Sequence, residues 1–317
     1  MTRSVATLIM FATVCVAAPL LSSYYVGLLT EAAILALFAM SLDLLVGYLG
    51  LESLGHAAFF GIAAYVTGLL SLAGYHSIWV SLPAALFASC LLAALFGLIA
   101  LRTIGPYFLI ITMALGYLPL GLAIRWRSLT GGDDGLAGVG RPNFGLPISL
   151  TEPRAYLIFT WTICVAAALV LYLLGGSAFG LSLRGIKENP SRMEALGYNI
   201  WLHKYVAFVV AGTFAGISGV LYAYLNGFVS PYDMSIYRSA EALVAVILGG
   251  AGTLAGPALG AAIILMLRFT AGAVTDKWSL VLGLVYIVVV MFAPRGVLGL
   301  LAFRRPSKAF HEGARAD

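Results

Sequence analysis

The residues in this chain best suited to chemistry are concentrated in one place. The segment "FGLSLRGIKENPSRMEALGYN" (179–199) carries five charges, Arg184, Lys187, Glu188, Arg192 and Glu194, in a sequence of which only 10% is charged. Charge at that density serves to grip a partner or to set topology in a membrane. Elsewhere, His56 in "ESLGHAAF" has no acidic neighbour placed for a proton relay, so a hydrogen-bonded ring at a helix start competes with a pathway or gating role. Asp133 and Asp134 in "LTGGDDGLAGV" (129–139) sit in a glycine frame that could meet a cation. They lack the alternating ligands and closing glutamate of a calcium loop. Cys15, Cys90 and Cys164 each stand alone in apolar runs, which supports neither a disulfide framework nor a metal site. The glycine-rich "GGAGTLAGPALG" (249–260) has no lysine for phosphates and no acidic residue for magnesium. Neither a Ser-His-Asp pattern nor a carboxylate pair is present. The chain is therefore read as having no catalytic residue, no cofactor or metal ligand, and no nucleic-acid patch.

The elements that must position these residues are membrane helices. The sequence is 62% hydrophobic with a mean hydropathy of +1.00, against about 25% charged residues in ordinary globular chains. A span needs roughly 20 mostly apolar residues. Runs of this kind lie at 5–23, 28–47, 55–74, 78–100, 107–124, 155–176, 203–225, 239–256, 257–274 and 278–293. The expectation is an all-α, polytopic transmembrane bundle of about ten spans. The run after "MTR" could alternatively be a cleaved signal peptide. With an even number of spans, eleven of the 18 lysines and arginines fall on the side of 179–199, and seven on the other. The positive-inside rule then puts that segment and both termini in the cytoplasm. A membrane domain over 1–303 is followed by a basic tail, 304–317, that begins within "FRRPSK".

Within the charged segment the punctuation is helical. Asn189 suits an N-cap, Pro190 the first helical position and Gly197 the stop. They frame a helix over 190–196, about 10 Å long, too short to hold unless docked. Met193 and Leu196 are expected on one face, with Arg192 and Glu194 elsewhere. Small residues at 252, 256 and 260, and at 212 and 216, suit close helix contact. Gly249 and Gly250 could instead break a helix beside a pathway. Charges within the apolar runs are costly. Glu31, Glu241 and Arg268 fall near external helix ends, while Asp43 and Glu52 flank "GYLGLESLGH" near the internal end. All five are read as structural or interfacial before substrate-binding.

The segment 179–199 resembles the cytoplasmic coupling motif of ABC permeases for branched-chain amino acids, of the LivM type. "LLVGYLGLESLGHAAFFGIAAYV" (44–66), "GPYFLIITMALG" (105–116), "LTGGDDGLAGV", "VILGGAGTLAGPALGAA" (246–262) and "MFAPRGVLGL" (291–300) are similar to that family in the same order. The resemblance covers nearly the whole chain. It implies a permease subunit of an ATP-driven importer in the bacterial inner membrane, in contact with lipid. Its partners would be a second permease, two ATP-binding subunits that hold the ATP, and an external binding protein. It assigns Arg184, Gly185, Glu188, Asn189, Arg192, Glu194 and Gly197 to ATPase coupling, and Asp133 and Asp134 to binding-protein contact. Branched-chain amino acids are the implied cargo. Urea, short amides, other amino acids or aromatic acids are carried by the same permease type. A self-sufficient secondary transporter is the competing class.

Overall fold

The computed structural model describes residues 22–103, 105–143 and 150–272, and beyond them 280, 283, 284, 287, 296 and 297. The expected spans at 5–23 and 278–293 lie almost wholly outside the described residues, as do Cys15, the boundary at 303 and the basic tail.

All eight remaining apolar runs are helices. They are α1 (Ser23–Leu49), α2 (Ala57–Leu72), α3 (Ile78–Ala100), α4 (Pro106–Arg125), α5 (Pro153–Gly176), α8 (Ile200–Asn226), α9 (Ile236–Gly249) and α10 (Ala255–Gly272). Between α5 and α8 lie two short polar helices, α6 (Ala178–Glu188) and α7 (Pro190–Ala195). Among the described residues, α1, α3, α4, α5 and α8 are long and apolar enough to cross a membrane. At 16 and 14 residues α2 and α9 are shorter, and α9 and α10 pack against each other as a hairpin. The protein is thus an all-α membrane bundle.

The core is built around α8, which packs on α1, α2 and α3, while α1 packs in turn on α5, α9 and α10. Phe38, Phe59, Phe60 and Phe208 are wholly buried there. The expected small-residue contacts on α8 are present: a Cβ at Gly212 would meet Ala93, and one at Gly216 would meet Ser89. Ser89 exploits this closeness, its hydroxyl lying 3.1 Å from the Phe59 carbonyl and 2.8 Å from that of Gly212. In the hairpin, Gly256 and Gly260 face Gly249 and Ala245 as small-residue packing requires. Gly252 does not share that face. It sits in the turn between α9 and α10 with φ +83°, a conformation that favours glycine.

Two irregular stretches organise the ends. At the end opposite α6–α7, Leu136–Ala137 pairs antiparallel with Phe228–Val229, tying the glycine-rich loop to the end of α8. Between Gly50 and His56 the chain is non-helical yet turns back into the bundle. His56 meets Ser41, eight residues before the end of α1 and so about 12 Å inside it. Backbone of this kind is tolerated at membrane depth only when protein satisfies it. Here the Leu54 N–H donates to Thr112 Oγ1 at 3.3 Å, and the Ala57 N–H to Ser239 Oγ at 2.9 Å.

Candidate functional site

The charged segment folds as two helices joined at one residue. The Ser177 side chain caps α6 by accepting from the Gly180 N–H. α6 is amphipathic, burying Leu183 and Ile186 while Arg184, Lys187 and Glu188 stay on its exposed side. Asn189 ends α6 and begins α7, accepting the Arg192 N–H at 3.0 Å with Pro190 at the first helical position. Gly197 closes the element with φ +88°, and Asn199 caps α8 in turn. α7 buries none of its residues, and Glu188, Arg192 and Glu194 are exposed on or beside it.

The expectation for Met193 and Leu196 needs correction. Met193 turns inward beneath Gly185, where a Cβ would come within 2.7 Å of its sulfur. Leu196 follows the last helical residue and stands 66% exposed. Absence of a side chain at Gly185 opens the slot that Met193 fills, so the methionine anchors the knob and the leucine forms its apolar tip. Arg184 also faces inward in part, its guanidinium lying over the Tyr48 ring at 4.5 Å.

Lys187 connects this element to the bundle. Helix α1 ends at a left-handed Gly50, whose N–H donates to Val46 O, while the Leu51 N–H donates to Leu45 O. Terminal helix carbonyls need donors from outside the helix. The Lys187 ammonium supplies them, donating to Gly47 O at 2.8 Å and Val46 O at 3.4 Å. One turn earlier on α1 sits Asp43, fully buried. Its carboxylate accepts the Gly252 N–H at 2.7 Å and the Leu254 N–H at 3.0 Å. It thereby straps the turn of the α9–α10 hairpin against α1. Gly47 lies so close to Gly252 that a Cβ at Gly47 would run into the Gly252 backbone. Within the strapped turn Leu254 holds φ +57°, a left-handed conformation that costs a non-glycine residue roughly 1–2 kcal/mol. An open cavity of about 470 Å³ lies beside the turn, lined by Tyr48, Ser177, Arg184, Gly252 and Thr253 among others.

The other expected residues lie apart from this junction. α9 ends at Gly249, and Gly250 has φ +111°, so the expected helix break is there, at the hairpin turn. His56 lies within the core, its Nε2 2.9 Å from Ser41 Oγ and its ring stacked on Phe38. The Ser41 hydroxyl also lies 2.7 Å from Phe38 O. Asp133 and Asp134 form an exposed 3-10 turn, where Asp133 accepts a hydrogen bond from the Tyr232 hydroxyl at 2.9 Å. This contact holds the tyrosine hydroxyl above its ordinary pKa. Among the described residues no cluster of three His, Cys, Asp or Glu could hold a metal ion.

Glu31, Glu241 and Arg268 do come together. Arg268 pairs with Glu31 at 3.0 Å and with Glu241 at 3.4 Å, and Glu241 pairs with Arg238 at 3.0 Å. The Arg238 guanidinium is further held over the Tyr222 ring at 4.5 Å. Sequence alone marks Asp43 as a structural charge but does not show its bonds to the hairpin turn or the contacts of Lys187 and Tyr48. For Lys187 a signal existed: it lies three residues after Arg184 on a helix whose other face is apolar.

The chain matches the family model described as branched-chain amino acid transport system / permease component over residues 24–291. It is 28% identical over 311 residues to the high-affinity branched-chain amino acid transport system permease protein LivM of Escherichia coli K12, covering 91% of this chain and 72% of that protein. It is 22% identical over 286 residues to LivH of the same type of system in Salmonella typhimurium, covering 83% of this chain and 91% of the relative. Similarity extends to the autoinducer 2 import system permease protein LsrC of Escherichia coli O9:H4, at 28% over 261 residues, 74% of this chain and 69% of that protein. No solved structure matches the chain.

Proposed function

From the premise that the chain belongs to the family of branched-chain amino acid transport system permease components, we propose that it is the membrane subunit of an ATP-driven importer of branched-chain amino acids. In this reading α6 and α7 lie on the cytoplasmic face of the bacterial inner membrane, together with both termini. The exposed α7 knob enters a cleft on a separate ATP-binding subunit. Glu188, Arg192 and Glu194 supply its charged rim, Leu196 its apolar tip, and Asn189, Gly185 and Gly197 its shape. A second, related permease completes the path, and an external binding protein delivers cargo near the Asp133–Asp134 turn. Hydrolysis of ATP belongs to the partner subunits.

The observation that carries this reading is α7 itself. A six-residue helix with a capped start, a glycine stop and no fully buried residue adds little to the core of this chain beyond the partly buried Met193. Such an element is justified by a surface that it enters. Its docking on α6 through Met193 makes it rigid enough to transmit force.

The test is uptake of radiolabelled leucine into proteoliposomes holding the chain with its permease and ATPase partners and the binding protein. ATP-dependent uptake is expected, falling by about tenfold or more when Glu188 and Glu194 are both replaced by arginine, as for reversed charges at an interface. Normal uptake in that variant contradicts the coupling role. Uptake that follows an ion gradient without ATP would instead favour a secondary transporter. Since one relative is a permease for autoinducer 2, competition by that compound, valine, isoleucine and urea identifies the cargo.

A further inference from the structure

We infer that Lys187 and Asp43 are positioning residues for transport, and that they carry movement of the α6–α7 element to the 250–254 turn, which acts as a gate at that end of the bundle. This rests on the importer reading above.

The geometry is a short, continuous chain of contacts. Lys187 on α6 holds the carbonyls of Val46 and Gly47. Gly47 is also where the α9–α10 turn comes closest to α1, against Gly252. One turn back, Asp43 binds the turn by the N–H groups of Gly252 and Leu254. Displacing α6 therefore pulls on the same five-residue stretch of α1, 43–47, that holds the turn. Each link joins a side chain to backbone, so movement is not lost in a flexible side-chain pair.

The turn has the features of a two-state element. Leu254 is held in a left-handed conformation by the strap, and release of Asp43 lets it relax. Gly250 and Gly252, which precede it in the turn, also have positive φ and can rearrange. The cavity of about 470 Å³ beside Gly252 and Thr253 gives the turn a space to move into, and Arg184 and Tyr48 line that same space. A coupling device needs both a grip and a bistable part, and both occur here within one helical turn of α1.

The experiment compares ATP hydrolysed per cargo molecule imported by the reconstituted complex. For Lys187→Met, which keeps the stem and removes the ammonium, the ratio should rise by about tenfold, within the range typical of coupling between sites. Lys187→Arg should restore it, since a guanidinium can also donate to both carbonyls. An unchanged ratio in Lys187→Met, with import active, overturns the inference and leaves the importer reading intact. A wild-type complex with no ATP-driven import would instead overturn the importer reading. The second measurement avoids any folding defect at Lys187. Thr253→Cys, in an otherwise unaltered chain, is labelled with a membrane-impermeant maleimide from the cytoplasmic side, and the rate in excess of the parent chain is recorded. A nucleotide-dependent change of about fivefold or more supports a moving turn. A rate indifferent to nucleotide in an active complex overturns it.

Discussion

The α9–α10 hairpin is held to α1 at both ends, by unlike chemistry. At the end away from α7, Arg238, Glu241, Arg268 and Glu31 form a ladder of alternating charge, with side chains 8–26% exposed. At the α7 end a single buried carboxylate, Asp43, takes two backbone N–H groups of the turn. Long side chains in a ladder can lengthen and re-pair, so the outer clamp tolerates small shifts of the hairpin. The inner clamp fixes backbone at 2.7 and 3.0 Å and has no such slack. It also lies within one turn of the carbonyls held by Lys187. In the proposed coupling the outer clamp is the hinge and the inner clamp is the part that work is done upon.

Substitutions at the two clamps separate their contributions. The largest effect is expected for Asp43→Ala, which leaves two buried donors unpaired and should cost about 3–6 kcal/mol, from about 1.5–3 for each bond to a charged group. Thermal unfolding in mild detergent measures it, and Asp43→Asn, which retains one acceptor, should lose less. Arg268→Ala should cost about 1–3 kcal/mol, less than a fully buried pair because the side chains are partly exposed. A cost from Arg268→Ala above that of Asp43→Ala would reverse the assignment of the two clamps. Gly47→Ala should cost about 2 kcal/mol by overpacking against Gly252, with import impaired at least as much as stability. An import rate as high as the parent's would argue against a tight junction there. The smallest effect is that of Asn189→Ala, about 1 kcal/mol for a lost N-cap. It should appear as weaker binding of the ATPase and not as a lower unfolding temperature, because α7 buries nothing of its own.

What could be read from the sequence was local. Hydropathy located the eight apolar helices within the described residues, because a membrane span must be apolar along its length. The cap, proline and glycine of α7 were equally clear, since capping acts between residues three apart, as in the 3.0 Å bond of Asn189 to the Arg192 N–H. Long-range pairing left no such mark. Asp43 finds its partners 209 and 211 residues away, and Glu31 finds Arg268 at a separation of 237. Each was visible only as a charge in an apolar run. Gly252 shows how periodicity misleads. Its spacing from Gly256 and Gly260 suits a helix face, but the chain turns there, and the same lack of a side chain serves close backbone approach to Gly47 instead. Met193 and Leu196 were separated by a slot at Gly185 that spacing on α7 alone does not reveal.

The central claim is that the α7 knob is where a partner's ATP hydrolysis enters a chain of this family. Its most direct test is purification of the tagged chain from native membranes in mild detergent, with identification of the proteins that accompany it. The account predicts recovery of P-loop ATP-binding subunits and a second permease with the parent chain. In the variant with Glu188→Arg and Glu194→Arg the ATP-binding subunits should be lost while the permease remains. Retention of the ATP-binding subunits by that variant, or a parent chain that purifies alone in several mild detergents, would contradict it.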